Sequence, residues 1–295
     1  MKIVVGTRAS KLALAQTKIV VDQLLLQFPN IQFEVKEIVT TGDKILDVSL
    51  DKIGGKGLFL KEIEDALLKK EIDIAVHSMK DVPAFLPDGL IIASVLKRED
   101  SRDCLISSKY SNLESLPSGA VVGTSSARRR VQLMIKRPDL NFKVLRGNVL
   151  TRLKKVENGE FDAAVMAYAG LKRLGLNNLV KEIFSKEFLI PAIAQGAICI
   201  ECREQDSEII KILKTINDHV TELETTAERA YLQGINGDCS TPIGAMANVS
   251  SNGVISLKVW YGDYDAKFEH FYECSGEDSN AIGAKAAIEI KKMYA

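Results

Sequence analysis

Apolar and polar positions along the chain switch between two periods. Lys2–Val5 is a short apolar, β-branched run, and Ser10 then offers an N-cap to an amphipathic helix ending near Phe28-Pro29. Gln32–Val39 alternates like a strand. Gly57–Lys70 places Leu58, Leu60, Ile63 and Leu67 at helical spacing with charges on the other face, and Ile72–Val76 and Leu90–Leu96 read as strands. The pattern then restarts. Ala120–Gly123 is a strand, Thr124-Ser125-Ser126 precedes a helix from Ala127, Phe142–Leu145 is a strand, Val149–Asn158 a helix and Ala163–Met166 a strand. Such alternation needs crossover connections and predicts α/β units with mainly parallel sheets.

Two such lobes are expected: residues 1–97, joined later by 198–217, and residues 103–190. The charged stretch Lys97 to Asp103 is the crossing point, and Ile198–Cys202 with the helical pattern at Ser207–Asn217 returns to the first lobe. Two crossings are the usual design of a hinged cleft. The rest differs: Leu223–Leu232 and Ala281–Met293 are helical, and Gly244–Val249, Val254–Tyr261 and Phe268–Cys274 are strand-like, which predicts a small C-terminal α+β domain over 219–295.

Composition narrows the class. In 295 residues, 46% are hydrophobic and 26% charged, the balance of a chain that buries substantial cores. No apolar run reaches the ~20 residues of a membrane span. The N-terminus carries no export-signal pattern, so a cytoplasmic protein is expected. Five cysteines, an odd count, do not suggest a disulfide framework. Net charge is zero, yet Ala120–Lys155 holds ten basic residues against the single acid Asp139, a net +9. A neutral chain with one such segment has gathered charge for an anion.

The candidate chemistry follows strand ends, where open α/β sheets bind ligands. His77-Ser78-Met79-Lys80-Asp81-Val82-Pro83 follows an apolar strand. Asp81 beside Lys80 is either a tuned carboxylate or an ordinary turn Asp, and the local pattern by itself favours the turn. Gly123-Thr124-Ser125-Ser126-Ala127-Arg128-Arg129-Arg130 brings a strand end, hydroxyls and a helix N-terminus together with guanidiniums, an anion site. Arg146-Gly147-Asn148 repeats the arrangement, with Arg152 about a turn further on. Phe142 is the one aromatic in the basic segment, poor for base stacking, and neither a Walker motif nor G-x-G-x-x-G is present; a small polyanion fits better than nucleic acid. Gly54-Gly55-Lys56-Gly57 reads as a lid-like loop. Cys199 and Cys202 point to opposite faces of a strand and, like Cys104 and Cys274, read as packing residues. Cys239, in a turn-rich loop, is either a nucleophile or an attachment point. Three scattered histidines support neither a metal site nor a Ser-His-Asp triad.

Taken in order, Gly6-Thr7-Arg8-Ala9-Ser10-Lys11-Leu12-Ala13-Leu14-Ala15-Gln16, Gly55-Lys56-Gly57-Leu58-Phe59, His77 to Pro83, Arg98-Glu99-Asp100, Gly123 to Arg129, Leu145-Arg146-Gly147-Asn148 with Arg152, Ala167, Gly170-Leu171, Arg173-Leu174, Gln195-Gly196-Ala197 and the Cys239 loop resemble one family, the porphobilinogen deaminases, over nearly the whole chain. The resemblance implies two periplasmic-binding-protein-like lobes around a cleft, plus a third domain. It implies condensation of four porphobilinogens head to tail, with loss of four ammonia and a final hydrolysis, to hydroxymethylbilane. It implies a dipyrromethane cofactor in thioether linkage to Cys239, no metal, no nucleic-acid or membrane partner, and a monomer. Asp81 would be catalytic. Ser78, Lys80, Asp81, Thr124, Ser125, Arg128, Arg129, Arg146, Gly147, Arg152 and Ala167 would hold the cofactor; Arg8, Ser10, Arg146, Arg173 and Gln195 would hold substrate. Every pyrrole brings an acetate and a propionate, which accounts for the gathered cations. Two departures stand out: Asp238 occupies the second glycine of the family's Gly-Gly-Cys, and Ile193-Ala194-Gln195-Gly196 stands for Val-Gly-Gln-Gly. The alternatives are a non-catalytic two-lobed protein binding a small polycarboxylate, which predicts no adduct on Cys239, and a nucleic-acid-binding regulator, which predicts steeply salt-dependent affinity.

Overall fold

The computed structural model describes residues 1–44, 60–238 and 240–294. The glycine-rich loop at Gly54–Gly57, with Leu58 and Phe59, and Cys239 lie outside them. In chain order the main elements are β1 (Lys2–Arg8), α1 (Lys11–Gln27), β2 (Gln32–Ile38), α2 (Lys61–Leu68), β3 (Ile74–Ser78), β4 (Leu90–Val95), β5 (Asp103–Ile106), β6 (Val121–Gly123), α3 (Ala127–Lys136), β7 (Asn141–Lys143) and α4 (Val149–Glu157). They continue with β8 (Ala163–Ala167), α5 (Tyr168–Arg173), β9 (Val180–Ile183), β10 (Ile198–Arg203), α6 (Ser207–Lys214), α7 (His219–Ile235), β11 (Ile243–Val249), β12 (Ile255–Gly262), β13 (Glu269–Gly276) and α8 (Ser279–Tyr294).

The chain divides into two compact units, 1–99 with 197–222 and 100–196 with 223–295. The first is built on a five-stranded sheet ordered β2-β1-β3-β10-β4. Its core joins Ile3, Val5, Ile74 and Val76 of the strands to Val20 and Leu24 of α1 and to Ile209, Ile212 and Leu213 of α6. Ser10 caps α1 by accepting from the Ala13 N–H at 3.2 Å, so the first connection is fixed by one hydroxyl. The second unit holds a five-stranded sheet ordered β7-β6-β8-β5-β9 and a three-stranded sheet β11-β12-β13. That last sheet is antiparallel, with Trp260 and Tyr231 fully buried and the Tyr231 O–H donating to the Trp260 carbonyl at 3.2 Å.

The five-stranded sheets are mixed, not mainly parallel. In each, the first two pairings are parallel, β1 with β2 and β3, and β6 with β7 and β8. The other two are antiparallel, β10 with β3 and β4, and β5 with β8 and β9. The reversed strand is in each case the one that follows a passage between units, so it enters its sheet without a helical crossover and is free to run the other way. Among the described residues no helix is long and apolar enough to cross a membrane.

Before β10 the chain makes a tight bend in which Ala194 has φ +55° and Gly196 φ +92°. Left-handed backbone costs a non-glycine residue about 1 kcal/mol. Ala194 stands where the family pattern carries glycine, and the position is held because its N–H donates to Glu228 Oε2 at 2.6 Å. Ala194→Gly therefore stabilises the fold by about 0.5 kcal/mol, the relief of strain exceeding the extra chain entropy of glycine. A urea titration of both proteins reads this, and an unchanged or lower midpoint contradicts it.

Candidate active site

The first unit carries a pocket at the C-terminal end of β3, and the residues around it come from three places. Arg8 ends β1, Ser10 and Gln16 belong to the start of α1, and His77, Ser78 and Asp81 come from β3 and the turn after it. Ser78 Oγ lies 2.8 Å from Nε2 and 3.0 Å from Oε1 of Gln16, which ties the strand end to α1. The helical turn Met79–Asp81 is pinned from below: Met79 is buried, its N–H donates to the Ala197 carbonyl at 3.1 Å, and the Val82 N–H returns to the Met79 carbonyl at 3.1 Å. The turn exposes the Asp81 carboxylate and leaves Lys80 half-buried. Ser10, whose oxygen accepts from α1, keeps its O–H to donate to a ligand oxygen.

The second unit carries the basic cluster. Gly123 ends β6 where an added Cβ would meet Phe161 and Leu145 at 2.8–2.9 Å, so the strand end sits tight on the core. The Ser126 N–H then donates to Thr124 Oγ1 at 3.2 Å, and Ser126 caps α3 by accepting from the Arg129 N–H at 3.4 Å. Thr124 is buried and Ser125 exposed. Arg128 and Arg129 do not project into solvent. Both are buried against Asp103, the first residue of β5. Arg128 Nη1 lies 2.7 Å from Asp103 Oδ2, and Arg129 Nη2 lies 2.8 Å from Oδ1. Gln195 joins them, with Nε2 donating to Asp103 Oδ1 at 2.9 Å and to the Ser101 carbonyl at 2.6 Å. Burial pushes the Asp103 carboxyl up, but the two guanidiniums outweigh it and bring it down to about 2. Burial also draws Arg128 down.

Near this cluster the other basic residues follow the same strand-end logic. Arg146 and Gly147 are half-buried; Gly147 has φ +107°, and an added Cβ would meet Thr151 at 2.7–2.8 Å. Asn148 caps α4, accepting from the Thr151 N–H at 3.0 Å, and Arg152 Nε donates back to the Gly147 carbonyl at 2.7 Å. Arg173 donates to the Gly196 carbonyl, and Ala167, half-buried, pairs opposite Asp103. One of these features is not legible in the sequence alone. Asp103 belonged to a stretch read as a crossing, and the signal was an acid opening the apolar run Cys104-Leu105-Ile106: a fully buried Asp is rare unless paired. Gln16 closes the first stretch shared with the family, and what the structure adds is its bond to Ser78.

Cys239 lies outside the described residues, but its neighbours form a defined turn. Asp238 Oδ1 accepts from the N–H and O–H of Ser240 at 2.9 and 2.6 Å and from those of Thr241 at 3.2 Å each. Burial raises the Asp238 carboxyl, and these hydrogen bonds bring it below its usual range. Aspartate in the place of a family glycine thus builds a side-chain turn, a local alternative to glycine's backbone freedom.

Comparison with known proteins completes the picture. Residues 3–211 match the family model described as porphobilinogen deaminase, dipyromethane cofactor binding domain, and residues 222–292 match porphobilinogen deaminase, C-terminal domain. The chain belongs to the porphobilinogen deaminase family. It is 48% identical over 295 residues, all of this chain and 96% of the other, to a protein of Bacillus cereus (strain AH820) named porphobilinogen deaminase. Proteins of the same name in Brevibacillus brevis (48% over 283 residues, 96% of this chain and 92% of the other) and Bacillus velezensis (46% over 292 residues, 99% and 93%) are as similar. A periplasmic substrate-binding protein of an ABC transporter from Coxiella burnetii is a looser likeness, with TM-score 0.47 at 14% identity over 75% of this chain and 94% of the other. As a porphobilinogen deaminase the chain is a transferase of tetrapyrrole and haem biosynthesis. It condenses four porphobilinogens to hydroxymethylbilane on a dipyrromethane cofactor, and is not a passive polycarboxylate binder.

The donor set suits that cofactor. A dipyrromethane made of two porphobilinogens carries four carboxylates, and the described residues offer guanidiniums, an ammonium, hydroxyls and a capped helix N-terminus, with Asp81 as the exposed acid beside the first pocket.

Proposed function

We propose that Asp81 is the catalytic residue and that the two sets of basic and hydroxyl side chains bind the carboxylates of cofactor and substrate. The observation that carries this is the pocket itself: one exposed carboxylate on a pinned turn, with Arg8, Ser10 and Ser78 around it. In each coupling the carbon–nitrogen bond of the substrate's protonated aminomethyl group breaks. The electron pair leaves with nitrogen as ammonia, and the carbon left behind becomes cationic through the pyrrole nitrogen. Asp81 accepts the pyrrole N–H and stabilises that cation, an electrostatic role for a fixed charge. Bound dipyrromethane would supply the free α-carbon that takes up the first substrate, the new carbon–carbon bond replacing that carbon's bond to hydrogen, whose proton is released.

In this reading Arg8, Ser10, Arg146, Arg173 and Gln195 hold substrate. Ser78, Lys80, Thr124, Ser125, Gly147, Arg152 and Ala167 hold the cofactor together with Arg146. Arg128 and Arg129 take part through their field: two guanidiniums against the one carboxylate of Asp103 leave a net positive charge behind the start of α3. Cys239 is the anchor, in thioether linkage, within a C-terminal domain over 219–295, and the enzyme works as a cytoplasmic monomer.

Intact mass tests the anchor directly. The purified chain is expected to weigh more than its sequence by one dipyrromethane unit, and Cys239→Ser to lose that increment together with turnover. A fully active protein at the bare sequence mass removes the anchoring role. Native mass of the same sample reads the oligomeric state.

A further inference from the structure

Behind the Asp81 pocket the first unit buries three ionisable side chains that the reaction as described leaves unused. His77 forms part of the pocket wall, and its Nε2 lies 3.0 Å from Oε2 of Glu201 on β10. His77 pairs opposite Cys199, so Glu201 is its diagonal neighbour on the same face of the sheet. Glu64 completes the group: it is buried on α2, which packs against both β3 and β10, where the Glu201 charge opposes its ionisation and His77 favours it. Relative exposure is 8% for Glu64, 6% for His77 and 1% for Glu201. Oε1 of Glu64 and Oε1 of Glu201 are both buried with no hydrogen-bond partner among the described residues. Apolar side chains of the same volume would fill this core without the desolvation cost.

Among the described residues, the elements packed against α2 bring few other charges. Of the elements packed against α2, β4 carries no titratable side chain. β10 adds Arg203, held by Asp73 and Asp206, and the thiols Cys199 and Cys202; burial pushes Cys202 up to about 12. β1 adds Lys2, paired with Glu34, and Arg8 in the pocket. β3 adds no ionisable residue besides His77, and α2 itself adds Lys61, Glu62 and Asp65.

We propose that Glu64, Glu201 and His77 act as one positioning group for the condensation, Glu201 fixing the imidazole in the pocket wall and the two carboxylates placing negative charge behind the substrate carbon that becomes cationic. The inference rests on the Asp81 pocket being the reaction site. It also has a direction. Burial, with Glu201 adding to it, pushes the Glu64 carboxyl up to about 7, so raising the pH through neutrality ionises Glu64. A cation forming in front of the imidazole gains from that charge, and binding of the substrate's ground state changes little.

The test measures kcat and KM for porphobilinogen with cofactor-loaded enzyme at about pH 6 and about pH 8, two values that bracket the titration. In the parent enzyme kcat is expected to be about fivefold higher at the upper pH with KM unchanged, a modest effect for one indirect charge. Glu64→Gln is expected to bring that ratio close to one, and Glu201→Gln to lower kcat at both values with KM unchanged. A Glu64→Gln enzyme that keeps the parent ratio overturns the proposal. If Glu64→Gln does not fold, Glu64→Asp serves, and its expected ratio is the parent's; a ratio near one overturns. Asp81→Asn is run beside them. If it turns over normally, the reading of the pocket fails; if it is inactive and Glu64→Gln still keeps the parent ratio, only the positioning group fails.

Discussion

Asp81→Asn lowers kcat for porphobilinogen by about a thousandfold, the upper end of what one fixed transition-state charge contributes, and leaves the fold intact. The side chain is exposed, and the turn that carries it is held by Met79 and by backbone hydrogen bonds to Ala197 and Val82, none of which uses the carboxylate. A surface change of this kind shifts stability by about 0.5 kcal/mol or less. Asparagine keeps the size and one hydrogen-bond acceptor, so what disappears is the negative charge beside the cationic carbon. Asp81→Ala removes the acceptor as well and is expected to be no more active. The experiment pairs steady-state rates with thermal unfolding and intact mass, because an enzyme that cannot build its cofactor would mimic a dead catalyst. Cofactor supplied by reconstitution separates the two. Either variant turning over near the normal rate ends the claim for this residue.

Much of this was readable from residues alone, and the part that was not has one cause. Local signals held where the local chain decides the structure. Ser10 caps α1, the Thr124-Ser125-Ser126 run precedes α3, and Asn148 caps α4, because short polar side chains satisfy helix N-termini within three residues of themselves. Strand ends near Ser78 and Gly123 were visible for the same reason, since apolar β-branched runs stop there. Pairings between residues distant in sequence were not visible. Arg128 and Arg129 read as an anion site at a helix start, and their neutralising partner Asp103, 25 and 26 residues upstream, is invisible to a local pattern. His77 looked like a scattered histidine, with Glu201 on a strand 124 residues away. The sense of β5 and β10 was likewise set by how the chain enters each sheet and not by the strands' own composition.

That hidden partner carries the largest expected loss of stability. Asp103→Asn removes the carboxylate between two buried guanidiniums and leaves both charges without compensation, which costs about 3–5 kcal/mol. Arg129→Leu leaves one guanidinium and one carboxylate still paired through Arg128, so it costs less, although the Val165 carbonyl and Gln195 lose a donor. The acid dependence carries the same signature. Asp103 sits at about 2 in the folded protein, below its usual value, so its stabilisation is complete above the usual carboxylate range and fades as the pH falls toward 2. Urea titrations near neutrality and near pH ~3 read both effects, and Asp103→Asn loses its part of the acid limb. Cofactor content then discriminates between scaffold and binding site. If the cluster acts by holding the start of α3, cofactor content in Asp103→Asn falls together with the folded fraction. A variant as stable as the parent yet free of cofactor would mean that Asp103 shapes the ligand site itself, and that the buried arginines meet the oligopyrrole directly.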